Sequence, residues 1–426
     1  MNRNQLNKVR NVNDSVEAAI QRTSEIKNLI DQMTLRIELI EKMRAFKTLR
    51  SLPGDTLAER NKIAEEIMEI IQNGNIDVNG KYLDNLPILI LFIRDKYPLP
   101  VVETFLNDRH VDVNVRSDNK NKPALTYAIA EKHFSAPGLL LNRNEEDKEF
   151  KLDVNLKDGN GNTALMEAIR VCNSDHVSNL LRKKDIQVNL RNTQSYTALM
   201  IAVRINGLTI DKKQERVTIV DMLLHRADLD VNAKDQNFFR RTAFMMAIKD
   251  IPMVNLFLKR DDLDINLPDF NGNTPLMIAI QNIEINLLEY IYIVEKLLAN
   301  RDILVNAKNQ DGRTAFMIAI ECESIPVFDS FLARNDVIWN AVDNSGNTAL
   351  NIAVIILKNL YEEIQQVPHE QLLERYNKVE KMVNTMIKDH RFDKHLPTLT
   401  NIAGDNAHIL TVIKGEVSAE GKNEET

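Results

Sequence analysis

Residues 269–280 read DFNGNTPLMIAI, and this stretch decides the fold. Asn271-Gly272 is tight-turn chemistry. Thr274 suits a helix N-cap, and Pro275 suits the first helical position, where a missing N–H costs nothing. The sister phrase at 163 shows the buried face, with Leu165, Ala168 and Ile169 spaced at i, i+3 and i+4. The unit begins as a polar turn leading into a short helix.

The phrase recurs. PALTYAIA, TALMEAIR, TALMIAVR, TAFMMAIK, TPLMIAIQ, TAFMIAIE and TALNIAVI begin at residues 123, 163, 197, 242, 274, 314 and 348. Before most copies stands a tripeptide ending in Asn: DVN, QVN, DIN, LVN or IWN, with Asn at 79, 114, 155, 189, 232, 266, 306 and 340. Between each phrase and the next tripeptide lies a second amphipathic segment, such as HVSNLLRKK, IVDMLLHRA or MVNLFLKRD. Each unit is turn, helix, turn, helix. One such pair cannot bury its apolar face alone, so the units must stack.

At this point the chain resembles the ankyrin-repeat family, whose phrase is T-P-L-H-x-A with a period near 33 residues. The resemblance covers roughly residues 55–412. It implies an all-α solenoid of helix-turn-helix repeats with short β-turn fingers. It also implies partner binding by the turn tips and the inner helices beneath them. Two departures recur. The family's His is replaced by Met166, Met200, Met245, Met277, Met317 or Asn351, which predicts greater reliance on apolar packing. Basic ends such as LLRKKDIQVN stand where the family has Gly-Ala.

Successive tripeptide Asn residues are separated by 35, 41, 34, 43, 34, 40 and 34 residues, so short and long repeats alternate. Duplication of a two-repeat unit fits this pattern, and so does a ridge of long repeats recurring about every 20 Å. Three segments follow: 1–54, an amphipathic helix acting as cap or coiled coil; 55–412, about eight to nine repeats with the last degenerate; and 413–426, an acidic tail expected to be disordered. In the first segment Val9, Val12, Val16, Ala19, Thr23, Ile26, Ile30, Met33, Ile37 and Ile40 form a heptad seam. That seam suits either covering the open end of the stack or pairing with a second copy; a capped monomer is the preferred expectation. Thr56 and Glu59 have capping-box spacing at the start of the next helix. At the far end, PTLTNIAGDNAHIL (397–410) is a worn copy of the repeat phrase.

Composition bounds the function. The net charge is −7 over 426 residues, which argues against nucleic-acid binding. Residues 1–50 run the other way, with ten Lys/Arg against six Asp/Glu. Cys172 and Cys322 are the only cysteines, pointing to a reducing, cytoplasmic setting. No apolar run is long enough to span a bilayer. The histidines show neither HExxH nor a zinc spacing, and no phosphate-binding or nucleophile-elbow motif occurs. His390-Arg391-Phe392-Asp393 looks superficially like a kinase catalytic loop, but nothing else of a kinase accompanies it, and SLPGDTLAERNKIAEEI has only a faint F-box flavour. The expectation is a non-catalytic protein-interaction scaffold with no cofactor and no metal. An enzyme with a cryptic site in the helical excursion at 355–395, or a coiled-coil assembly protein, stand as alternatives. The Glu-rich tail is also similar to the type IV secretion signals of Legionella-type effectors, which would place the protein in a host cytosol and make its partner a host protein.

The partner surface is expected at the central tips: Thr193, Gln194 and Tyr196; Gln236, Asn237, Phe238, Phe239, Arg240 and Arg241; Phe270 and Asn271; and Arg313. The outer tips are polar. The central ones carry aromatics and arginines, the composition of binding hot spots. Folding of the Phe pair between adjacent turns, merely to stiffen them, is the competing reading.

Overall fold

A computed structural model describes residues 3–394 apart from 53–55, 75, 118–119, 132–134, 144–145, 147–148, 206–208, 284–286 and 368, together with residue 402. The side chains of residues 3–15 and 287 lie outside this description, as do the acidic tail and, apart from residue 402, the worn phrase at 397–410. The chain divides into two units, Met1–Thr193 and Gln194–Thr426.

The first unit holds α1 (Arg3–Ser51), α2 (Leu57–Asn73), α3 (Ile88–Arg94), α4 (Leu99–Asn107), α5 (Ala124–Ala130), α6 (Ala136–Asn142), α7 (Ala164–Arg170) and α8 (Ser174–Leu181). Helices α3, α5 and α7 pack in one layer and α2, α4, α6 and α8 in a second. The second unit holds α9 (Ala198–Arg204), α10 (Ile210–Leu224), α11 (Ala243–Ala247), α12 (Ile251–Phe257), α13 (Pro275–Gln281), α14 (Leu287–Leu298), α15 (Ala315–Glu321), α16 (Ile325–Leu332), α17 (Ala349–Gln366) and α18 (Glu370–Lys388). Its odd-numbered helices form the inner layer and its even-numbered ones the outer. This is the helical solenoid the repeats require, with turns pinned by single antiparallel bridges at Lys81–Pro87, Arg116–Pro123, Lys234–Thr242 and Lys308–Thr314.

The recurring phrase behaves as its chemistry dictates. The hydroxyls of Thr163, Thr197, Thr242, Thr274, Thr314 and Thr348 each accept from a backbone N–H three residues on, at 3.2–3.4 Å. A cap of this kind stabilises a helix by about 1 kcal/mol. The methionines in place of the family's His are buried core: Met166, Met200, Met245, Met277 and Met317 are 0–4% exposed. The departure in residue type therefore adds apolar packing, as expected. Thr56 differs. Its hydroxyl donates to the Leu49 carbonyl at 3.1 Å and does not cap α2, so the capping box with Glu59 does not form.

The tripeptide Asn is the stitch between repeats. Asn266 Nδ2 donates to the Asp302 carbonyl at 2.7 Å, and its Oδ1 accepts from the Leu304 N–H at 2.8 Å. The same two-way contact is made by Asn79, Asn114 and Asn155 in the first unit, and by Asn232, Asn306 and Asn340 in the second. Each side-chain amide satisfies a donor and an acceptor of the next turn, which an apolar side chain cannot do. Asn340 closes on Arg391 and Asp393. The kinase-like stretch is thus held as a turn by the same Asn contact as the other turns.

The basic ends are also structural. Arg260 Nη1 donates to Leu224 and Arg226 carbonyls at 2.6 and 2.9 Å, while Asp262 holds its other edge. Arg334 reaches the Leu298 carbonyl and pairs with Asp336; Arg391 reaches Leu332 and pairs with Asp389. In the first unit Arg143 reaches the Leu106 carbonyl at 2.9 Å. Each cation covers the carbonyl end of the preceding outer helix, where unpaired acceptors and the helix dipole favour positive charge.

The long repeats of the second unit place their excess in the outer layer: α10 has 15 residues and α14 has 12, against 7 for α12 and 8 for α16. At the N-terminus α1 is continuous through 49 residues. Leu39, Met43 and Phe46 are buried, with Phe46 stacked on Tyr97 at 3.8 Å. The heptad seam does not supply this cap. Val16, Ile26, Ile30, Met33 and Ile37 are each more than half exposed. The cap is made farther along the same helix, by Leu39, Met43 and Phe46, whereas residues 16–31 are exposed on every side.

Candidate partner-binding site

The tips are built to one plan. In the 269–273 turn, the Asp269 N–H donates to the Asn273 carbonyl, and Asp269 Oδ1 accepts from the N–H groups of Asn271 and Asn273, both at 2.9 Å. The residue two before the helix-capping position takes a left-handed backbone: Gly161, Gly272, Gly312 and Gly346 have φ of 74–80°. Adjacent tips are joined by backbone hydrogen bonds. Phe270 N–H donates to the Phe239 carbonyl at 2.8 Å, Gln310 N–H to Asn271 at 2.9 Å, and Asn344 N–H to Asp311 at 3.0 Å.

The 235–241 tip departs from the plan. The Asp235 N–H donates across a longer loop to the Arg241 carbonyl at 2.9 Å, and Asp235 Oδ1 accepts from the Arg241 N–H at 3.0 Å. The two added residues push Phe238 and Phe239 outward, and they are 69% and 50% exposed. Phe238 meets Phe239 edge-on at 5.5 Å and Phe270 of the following tip at 4.7 Å; Phe270 is itself 42% exposed. The ring cluster does bridge two turns, yet it remains open to solvent.

Arg240 occupies the left-handed slot with φ 49° and an exposed side chain, where four other tips use Gly and three use Asn85, Asn121 or Ser195. An L-residue there gives up about 1 kcal/mol. Arg241 lies over the Phe239 ring at 5.0 Å. Lys234, donating to the Pro268 carbonyl, has its pKa lowered first by burial and then by the nearby Arg240 charge. The apolar platform thus carries one arginine over a ring and a second, exposed arginine beside it in the same turn.

The other expected residues are distributed less uniformly. Gln194 and Gln236 are exposed, with Ser195 Oγ donating to Gln236 Oε1 at 3.4 Å; Asn237 is half-buried, and its carbonyl accepts from the Arg240 N–H at 3.1 Å. Asn271 is exposed. Tyr196 turns toward its own repeat beneath Arg204, at 4.3 Å. Arg313 pairs with Glu321 at 2.7 Å. Thr193 belongs to the first unit, where its N–H and hydroxyl both donate to the Asn160 carbonyl at 3.0 and 2.8 Å.

Sequence reasoning left Gln310 out of the site, although its Nε2 donates to the Phe270 carbonyl at 2.6 Å and fixes that aromatic's backbone. It also missed a cleft of about 390 Å³ between α15, α17, α18 and the 343–347 turn, lined by Arg313, Glu321, Glu323, Asp343, Glu363 and Arg375. Its charges include two close pairs, Arg313–Glu321 and Arg375–Glu323, both at 2.7 Å. The cleft is open to solvent. Cys322 is partly exposed beside it, whereas Cys172 is buried.

Comparison with known families agrees with this architecture. A model described as ankyrin repeats (3 copies) matches residues 139–235 and 208–303, and one described as ankyrin repeats (many copies) matches 297–353. Together they span half of the chain. The protein belongs to the ankyrin-repeat family. Among solved structures, the ankyrin repeat domain of Bcl-3, described as a unique member of the IκB protein family, aligns at 21% identity with a TM-score of 0.46. That alignment covers 57% of this chain and 97% of that one. A chain from the Bd0816 predatory endopeptidase of Bdellovibrio bacteriovorus in complex with the immunity protein Bd3460 aligns at 22% identity and TM-score 0.38, covering 50% and 99%. The same Asn contacts occur outside the matched segment, at Asn79 and Asn114 on one side and, through Asn340, at Arg391 and Asp393 on the other. Among the described residues, no helix is long and apolar enough to cross a membrane.

Proposed function

We propose that this ankyrin-repeat protein is a non-catalytic scaffold that recognises a partner protein through the central tips of its second unit. The supporting observation is the solvent-open Phe238–Phe239–Phe270 cluster, with Arg241 over the Phe239 ring and the exposed Arg240 on the same tip. Exposed aromatic surface beside arginine is the composition of interface anchors.

The test is affinity capture from a eukaryotic lysate, comparing wild type with a variant whose Phe238, Phe239, Arg240 and Arg241 are all serine, matched for thermal stability. A partner captured by wild type and lost from the variant supports the reading. Identical captures reduce the cluster to a structural bridge between turns. A finer reading concerns the Glu-rich segment 415–426: its composition accords with an export signal of a secreted effector acting in a host cytosol. Deleting residues 414–426 abolishes translocation on that reading, and unchanged translocation removes it.

A further inference from the structure

Helix α1 carries two apolar faces. Leu39, Met43 and Phe46 lie on one, buried in the first unit. Val16, Ile20, Ile26, Leu29, Ile30, Met33 and Ile37 lie on the other, 51–65% exposed. At 3.6 residues per turn the centres of the two faces are about 155° apart, and the exposed one runs about 32 Å along the helix. The stripe is therefore open to a partner without disturbing the cap.

The charges beside the stripe restrict what can cover it. Its seam is Val16, Ala19, Thr23, Ile26, Ile30, Met33 and Ile37. One flank carries Ile20, Lys27, Thr34 and Glu41, the other Arg22, Leu29 and Arg36, while Glu17, Glu25, Asp31 and Glu38 turn away from it. Parallel pairing with a second copy sets Arg22 against Lys27 twice. The opposing Arg36–Glu41 contact is weakened, because Arg36 donates to the Lys81 carbonyl at 2.6 Å and lies over the Tyr82 ring at 4.8 Å. Antiparallel pairing centred between Ile26 and Ile30 sets Lys27 against Lys27 and Arg22 against Arg36. The register centred between Ile30 and Met33 sets Lys27 against Thr34 and Arg36 against Leu29, bringing no opposite charges together. Like charges at these flanking positions are how coiled coils reject a wrong partner, and unlike charges are how they select the right one.

We infer that the outer stripe of α1 docks one amphipathic helix of a different protein, with acidic residues flanking its apolar seam. This surface is independent of the aromatic tips. Two probe helices of about four heptads test it, sharing one apolar seam and differing only in glutamate or lysine at the flanking positions. Binding to the full chain is read by fluorescence anisotropy. The glutamate-flanked probe binds at least about tenfold more tightly than the lysine-flanked one. Ile30→Glu, at an exposed position where the helix tolerates Glu, removes the binding. Combined Arg22→Glu and Lys27→Glu substitution reverses the preference, and Phe238→Ser leaves it unchanged.

Equal binding of the two probes, or binding of neither, overturns the inference. A doubled mass by light scattering that Ile30→Glu restores to a monomer assigns the stripe to a second copy instead. Ile30-dependent retention on phosphatidylserine vesicles assigns it to lipid. Either result likewise overturns the inference.

Discussion

Replacing Asn306 by alanine tests whether the tripeptide Asn holds the repeats together. Its Nδ2 donates to the Asp336 carbonyl at 2.7 Å, and its Oδ1 accepts from the Ile338 N–H at 2.8 Å. Alanine removes both contacts from a half-buried position where water replaces them incompletely. At about 1 kcal/mol for each bond, discounted for that partial access, the loss is about 1.5 kcal/mol. The reporter is already in place. Trp339, the sole tryptophan, is 8% exposed beside Ile338 and meets Phe316 at 5.1 Å and Phe392 at 5.2 Å. Urea unfolding followed by its fluorescence reads the affected turn directly. With a denaturant dependence of about 3 kcal/mol per M, the midpoint falls by about 0.5 M. Asn306→Asp keeps the acceptor but loses the donor and sets a carboxylate against a carbonyl, so it loses at least as much. A midpoint within about 0.1 M of wild type for both variants refutes the stitch as a source of stability.

Three further outcomes are expected. Phe238→Ser alone weakens capture of the partner while leaving the melting temperature nearly unchanged, since the ring is 69% exposed; an equal fall in stability assigns the ring to packing. Gly272→Ala destabilises by about 1–2 kcal/mol in calorimetry, because φ is +79° and a Cβ would meet the Gln310 nitrogen at 2.9 Å. Glu167 gives a pH test. Burial raises its pKa, but hydrogen bonding from Arg170 and the charges of Lys122 and Arg170 outweigh this and hold it below the usual 4.5. The stability it contributes is thus present above pH 4.5 and lost as pH falls through its lower folded value. In thermal melts across acid pH, Glu167→Gln lacks this contribution and shows a shallower decline; parallel profiles refute the linkage.

The short-range pattern was legible because its physics is local. Thr caps, Pro or Ala in the first turn, and apolar residues at i, i+3 and i+4 fix each helix from neighbouring residues alone. Their repetition requires stacking, so the sequence alone determined the repeat architecture and the buried methionines. It also indicated the Phe238–Phe239 tip as an anomaly, since aromatics are foreign to a polar turn.

Only the tertiary structure decided which partner each side chain meets. Asn266 and Arg260 make their bonds to carbonyls 36 residues away, in opposite directions along the chain. No local pattern shows that one is a stitch and the other a helix cover. Phe270 joins the aromatic cluster because a backbone bond to Phe239 sets adjacent tips in register, whereas Tyr196 is drawn beneath Arg204. Helix α1 shows the same division. Its heptad was plain in the sequence, but a helix with apolar residues on two sides does not reveal which side is covered. The stretch with Leu39, Met43 and Phe46 packs in the first unit, and the stretch 16–31 that carries most of the regular stripe is exposed on every side.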